Sequence, residues 1–201
     1  MLTFIINFLF SIIYTIGWCN LHLEFIHFFK PLPALLLGWM VGREGGGSFY
    51  VWAGIGDMFM NYRGIHMIGL GLMSFAIAHM ILMMNNWLTP RLLYPFLILT
   101  GIVEAIVITI GLKINLNPML LRGIMIYVVL LLYNWMSSFN KSWIVTFSMT
   151  NLIISDAILA YDLFIEKLNF GCCPIIITYW LGINGLAWYT LYHKKLRKLK
   201  I

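Results

Sequence analysis

The sequence predicts an all-α integral membrane protein, a bundle of about eight transmembrane helices. Three observations carry this. Of the 201 residues, 62% are hydrophobic and only 10% charged, where a soluble domain carries roughly 25% charged residues. A chain with so few charges cannot cover its own surface in water, and lipid removes the problem; the mean hydropathy of +0.90 agrees. The apolar residues also fall in runs of helical length between short polar breaks. Finally, a cluster of positive charge abuts the last run. At roughly 20 residues per span plus a short loop, the chain has room for seven or eight helices and no separate soluble domain.

Backbone polar groups left unpaired in hydrocarbon are costly, so each run is expected to be helical. The expected helices are 2–18, 25–42, 49–61, 66–84, 91–111, 118–135, 142–164 and 172–192. The first lacks the basic start and small-residue cleavage site of a signal peptide, so it is expected to be retained. The polar stretch Cys19 to Glu24 ends it, and Arg43-Glu44-Gly45-Gly46-Gly47-Ser48 separates the second helix from the third, because glycine runs resist helix. The third is short for a span and is expected to tilt or to enter only part-way. Asn61-Tyr62-Arg63-Gly64 reads as a turn, Asn85, Asn86 and Pro90 bound the fourth helix, and Asn115 to Pro118 bound the fifth. Ser137 to Lys141 and Glu166 to Gly171 separate the rest. No internal repeat or low-complexity tract is visible.

Net charge is +6, and five of the 13 basic residues are Lys194, Lys195, Arg197, Lys198 and Lys200. The positive-inside rule makes residues 193–201 a basic cytosolic tail facing anionic lipid headgroups. A single multi-pass domain, 1–201, is expected, with no nucleic-acid partner. The membrane would be the endoplasmic reticulum or another endomembrane in a eukaryote and the inner membrane in a bacterium. Cys19, Cys172 and Cys173 have no metal-ligand spacing and read as small packing residues.

Ionisable side chains are expensive in a bilayer and mark function by default, at a cost of at least about 2.5 kcal/mol near its centre. The candidates are Lys30, Asp57, His79, Glu104, Arg122 and Asp156. Asp57 lies in Gly54-Ile55-Gly56-Asp57-Met58-Phe59 and Asp156 in Ile153-Ile154-Ser155-Asp156-Ala157-Ile158. Neither has a basic neighbour on its own helix, so each needs a partner from another. A structural bond between helices is one reading. The other is a pair of carboxylates in an apolar pocket, one protonated and able to act as an acid, the other ionised and able to orient water or stabilise a cation. Helix direction places Lys30, Asp57, Asp156 and Tyr179 in one depth band, with His79 and Tyr127 somewhat deeper. Lys30 either snorkels or meets a phosphate or carboxylate; His79 is either a hydrogen-bonded core histidine or a proton relay. Glu104 reads as structural, and Arg122 and Asp162 lie near helix ends. No HExxH, GxSxG or P-loop motif occurs.

Six short motifs in order resemble the YhhN-like lysoplasmalogenase family. Ser155-Asp156-Ala157-Ile158-Leu159-Ala160 with Phe164 is similar to its SDxxLAxxxF pattern. Gly56-Asp57 is similar to its GD, Gly71-Phe75-His79 to its GxxxFxxxH and Lys30-Pro31-Leu32 to its KPL, with Tyr127 and Tyr179 as its two tyrosines. Two positions depart: Ile183, beside Asn184, stands where the family usually has Gln, and Leu82 where it often has Tyr. The resemblance implies hydrolysis of the vinyl ether bond of lysoplasmalogens, giving a fatty aldehyde and glycerophosphoethanolamine or glycerophosphocholine. It implies Asp57 and Asp156 as catalytic acid and base, with Lys30, His79, Tyr127, Ser155 and Tyr179 binding or orienting substrate. The partners would be a lysophospholipid entering from the bilayer, and water, with no metal or organic cofactor. Two alternatives stay open: a non-catalytic lipid-binding homologue, since the Gln is missing, and a proton- or cation-coupled transporter, since acids and a histidine lie within the membrane.

Overall fold

The computed structural model describes residues 2–19, 29–42, 46–60, 62, 64–168 and 172–199, and all secondary structure among them is helical. The eight helices are α1 (Leu2–Cys19), α2 (Leu32–Gly42), α3 (Ser48–Met60), α4 (Ile65–Met84), α5 (Pro90–Lys113), α6 (Pro118–Ser138), α7 (Trp143–Phe164) and α8 (Cys172–Leu199). The fold class is the expected all-α bundle. Four helices, α4 to α7, are long and apolar enough to cross a membrane.

Local chemistry sets the boundaries. Asn117 caps α6 by accepting from the backbone N–H groups of Met119 and Leu120, with Pro118 at the first helical position. Ser142 caps α7 through Ile144 N–H, and Thr89 precedes Pro90 at the start of α5. At the end of α5, Asn115 takes the left-handed conformation (φ 53°) and Leu116 N–H returns to Gly111 O at 2.9 Å, a helix stop for which asparagine is suited.

One boundary differs materially from expectation. α2 begins at Leu32, not at residue 25, its first bond running from Leu35 N–H to Pro31 O. Pro31 and Pro33 lack the N–H that earlier turns would need. Residues 25–28, like the turn residues Asn61 and Arg63, lie outside the described residues. With 11 residues, α2 is about 16 Å long, and the 13-residue α3 about 20 Å, so both short helices fall well below the roughly 30 Å hydrocarbon thickness. α8, expected to stop at residue 192, continues as helix to Leu199.

Seven helices close a ring in which each packs on the next: α1, α2, α3, α4, α6, α7, α8 and back to α1, with α2 also touching α8. α5 lies outside this ring against α6, where Phe96, Leu132 and Met136 form a separate small core. Glycine permits the tightest crossings. A Cβ on Gly47 would collide with the backbone of Gly38 and Gly42, and so would open the α2–α3 joint. A Cβ on Gly182 would stand 2.6 Å from Leu152, and one on Gly185 would collide with Ser148, where α8 crosses α7.

The molecule is polar inside and apolar outside. Met119, Trp87 and Trp143 are 84, 86 and 77% exposed, while Asn7, Ser148 and Asn134 are 0, 0 and 1% exposed. Most of the buried polar side chains bond across or along helices, as membrane burial demands, while Thr100 Oγ1 and Trp180 Nε1 have no protein partner among the described residues. Asn7 donates to Asn184 Oδ1 (α1 to α8, 2.9 Å), and Trp135 Nε1 to Thr150 Oγ1 (α6 to α7, 2.9 Å).

Gly182→Ala and Gly185→Ala are each expected to destabilise the detergent-solubilised protein by about 1–3 kcal/mol through overpacking. Gly101→Ala, where the added methyl meets nothing within 4 Å, is expected to be neutral or stabilising. Thermal unfolding of the three variants checks this.

Candidate functional site

The ring brings its polar side chains to one end. Counting along the helices at 1.5 Å per residue, Tyr127 lies nine residues into α6, Tyr179 seven into α8 and Asp156 eight before the end of α7. Since alternate helices are antiparallel, all three sit roughly 10–13 Å below the same end. Asp57 is in the last turn of α3, and Lys30 precedes α2 at that end too. His79, fourteen residues into α4, is deeper.

Asp57 is 2% exposed and both of its oxygens are held. Lys30 Nζ stands 3.7 Å from Oδ1, and Tyr179 OH donates to Oδ2 at 2.7 Å. A buried carboxylate needs that company, because an uncompensated charge in low dielectric costs several kcal/mol. The backbone beneath Asp57 is pinned: a Cβ on Gly56 would stand 2.9 Å from the Phe75 ring, which meets Tyr179 edge-on at 6.5 Å.

Asp156 is held differently. It is partly accessible, and Tyr127 OH donates to its Oδ2 at 2.5 Å. No cation pairs with it among the described residues. Ser155, next to Asp156, is buried and donates to Ile175 O on α8 at 2.9 Å, fixing the turn of α7 that carries the acid against the turn of α8 that leads to Tyr179.

These groups line a cavity of about 340 Å³, within the roughly 300–1,000 Å³ range of small-molecule sites. Lys30, Asp57, Tyr127, Ser155, Asp156 and Tyr179 form its polar floor. The remaining wall is almost wholly aliphatic or aromatic and includes Val103 and Val107 of α5, the helix outside the ring. The cavity therefore reaches beyond the ring toward the lipid-facing surface.

Six of the seven predicted site residues line this cavity; His79 does not. Its ring sits edge-on to Tyr127 at 5.4 Å and to Phe49 at 5.9 Å. Asn134 Nδ2 lies 3.4 Å from Nδ1 but bonds more closely to the carbonyls of His79 (2.8 Å) and Leu130 (2.9 Å). His79 lines instead a second, small space with Tyr127, Asp156, Tyr179 and Ile183. Ile183 is 0% exposed and its side of α8 faces this space, whereas Asn184 is engaged with Asn7 and Trp180 O. The neighbouring asparagine is thus not a substitute for an amide at 183. Leu82 packs against the main core.

Phe75 and Asn134 are the residues whose local part sequence reasoning did not assign. Asn134 is the harder to see, because it stands beside the expected end of the sixth helix at residue 135; the helix runs to Ser138, and Asn134 is 1% exposed within it. Glu104 is half-exposed on α5, outside the cavity, and Arg122 is exposed near the start of α6. Asp162 accepts from Leu168 N–H at 2.8 Å, closing the turn after α7. Among the described residues no cluster of three His, Cys, Asp or Glu could hold a metal ion.

The model of the YhhN family matches residues 25–189, which takes in every residue of the site. No curated protein and no solved structure matches the chain.

The Lys30–Asp57 pair gives a direct test of the site's electrostatics. Lys30→Met and Asp57→Asn are each expected to destabilise the protein, and the double variant less than their sum, with a coupling of about 1–3 kcal/mol. Chemical or thermal unfolding across the four-protein cycle reads it.

Proposed function

The chain belongs to the YhhN family, and from that premise we propose that it is a membrane-embedded hydrolase cleaving the vinyl ether bond of lysoplasmalogens. One observation supports this above the others. Two carboxylates on different helices, α3 and α7, open onto one apolar cavity, and among the described residues a cation pairs with only one of them. Vinyl ether hydrolysis needs that asymmetry. Its slow step is protonation on carbon, so one carboxyl has to hold a proton in an apolar setting. The resulting cation needs a negative charge nearby, so the other has to stay ionised. Paired with Lys30, Asp57 takes the ionised role. Asp156, with a neutral phenol as its hydrogen-bond partner, takes the acid role.

In this reading the alkenyl chain lies along the aliphatic wall with its ether oxygen over the polar floor. Asp156 gives its proton to the vinyl carbon remote from oxygen, using the π electrons of the double bond. The carbon bearing the oxygen becomes an oxocarbenium centre facing the Asp57 carboxylate. A water oxygen bonds to that carbon, and its proton goes to Asp156, which regenerates the acid. The hemiacetal then breaks its bond to the glycerol oxygen, which takes the hemiacetal proton. The products are a fatty aldehyde and glycerophosphoethanolamine or glycerophosphocholine. The division of labour resembles the two-carboxylate logic of glycosidases, with acid and stabiliser kept apart by environment. Lys30, on the same polar floor, would also pair with the lipid phosphate. This end of the bundle is opposite the basic C-terminal segment, which we assign to the cytosol.

Asp156→Asn and Asp57→Asn are each expected to lower fatty-aldehyde release from a lysoplasmalogen by at least about 100-fold while the purified protein keeps its fold. Aldehyde release assayed by reductive trapping decides the point, and wild-type turnover in both variants would sink the assignment.

A further inference from the structure

The small space behind the site has a chemistry of its own. It measures about 10 Å³, close to the roughly 10–15 Å³ that one water molecule needs. It is also polar enough to keep one, since a buried water wants two to four hydrogen-bond partners. His79, Tyr127, Asp156 and Tyr179 all face it. The rest of its wall is Phe49, Ala53, Phe75, Ala78, Leu152 and Ile183, none of which competes for a hydrogen bond through its side chain. His79 is 4% exposed, and Asn134 spends its N–H groups at shorter range on two carbonyls. The imidazole is therefore left with hydrogen-bonding capacity. Asp156, Tyr127 and Tyr179 border both spaces, whereas Lys30 and Asp57 border only the large one and His79 only the small one.

We propose that this small chamber is the binding site of the hydrolytic water, held against Asp156 by His79 in a space of its own that adjoins the lipid in the large cavity. The proposal rests on the hydrolase reading above and adds what that reading leaves open, the source and direction of the water. The two spaces adjoin along Phe75, Tyr127, Asp156 and Tyr179, so the lipid and the water both lie against Asp156. Proton delivery from Asp156 to carbon and proton return from the water to Asp156 then use a single carboxyl. As the water oxygen bonds to the oxocarbenium carbon, its proton passes to the Asp156 carboxylate, and no other acceptor is required. His79 is a positioning residue here, acting on the water and not on the lipid. Its place outside the large cavity becomes intelligible.

Filling the chamber without touching a polar group tests this. Ala53→Val and Ala78→Val each add two carbons to its wall. Both are expected to melt below the wild-type temperature, as overpacked variants do, but to bind a saturated 1-O-alkyl lysophospholipid with unchanged Kd. Their kcat for aldehyde release is expected to fall about 100-fold. His79→Leu should do the same, and His79→Gln, which keeps a hydrogen-bonding group, should recover part of the loss. Should one valine variant fail to fold, the other and the His79 pair decide. Filled variants that turn over at the wild-type rate overturn the proposal, and so do variants that lose lipid binding together with kcat, because the chamber is then part of the lipid site. If the wild type releases no aldehyde, the hydrolase reading falls by itself. The chamber is then judged in an experimental density map. An ordered solvent feature within hydrogen-bond distance of His79 and Asp156 in the wild type, missing in Ala53→Val, upholds the site, and its absence from the wild type overturns it.

Discussion

A carboxylate inside a helical bundle has no water to lean on, so its neighbours must do what solvent would otherwise do. Asp57 sets that demand in this protein, and much of the local architecture answers it. One oxygen faces Lys30 and the other receives the Tyr179 hydroxyl, so three separate pieces of chain have to converge: the segment before α2, α3 itself and α8. Pro31 and Pro33 stop α2 from starting earlier, which leaves Lys30 off the helix and free to reach back. Gly56 lets Phe75 close over the backbone, and Phe75 in turn props Tyr179. Loosening any of these leaves a charge without its compensation, which costs far more than the contact itself.

The rest of the polar interior follows the same rule at lower stakes. Ser155 spends its hydroxyl on Ile175 O, Asn134 on His79 O, and Asn7 on Asn184, each fastening one helix of the ring to another. In lipid these bonds have no hydrophobic competitor to hide behind, since side chains such as Leu gain little by leaving a hydrocarbon solvent for a hydrocarbon core. Close packing through Gly47, Gly182 and Gly185 supplies the dispersion contacts that the hydrophobic effect supplies in water. Stability and site geometry are therefore drawn from the same small set of polar and glycine positions.

Much of this was legible in the sequence, for a physical reason. Eight apolar runs in a charge-poor chain leave little alternative to helices in lipid, and all eight are present. The antiparallel alternation of short-looped helices puts Lys30, Asp57, Asp156 and Tyr179 in one depth band with Tyr127 and His79 somewhat deeper, and the ring gathers all of them but His79 round one cavity. Depth follows from counting residues, but azimuth does not. Nothing in the chain said that His79 would turn to the far side of Tyr127, or that Ser155 would bond to a carbonyl on α8. The start of α2 is hard to read because apolar residues continue on the N-terminal side of Pro31 and Pro33. Asn134 was passed over because it stood near an expected helix end, where a polar residue needs no explanation. The departure at Ile183 was visible as a letter, and only the packing shows it as a fully buried wall beside Asp156.

The position of α5 separates two evolutionary tasks. The ring closes without it, through α4 and α6, so the scaffold that aligns the carboxylates makes little demand on its sequence. Yet Val103 and Val107 help to enclose the large cavity. A lineage that exchanged these valines for alanine or phenylalanine would enlarge or shrink that cavity, while Asp57, Asp156 and their partners stayed in register. Selectivity in such a molecule can drift on one peripheral helix, insulated from the parts that cannot afford to change.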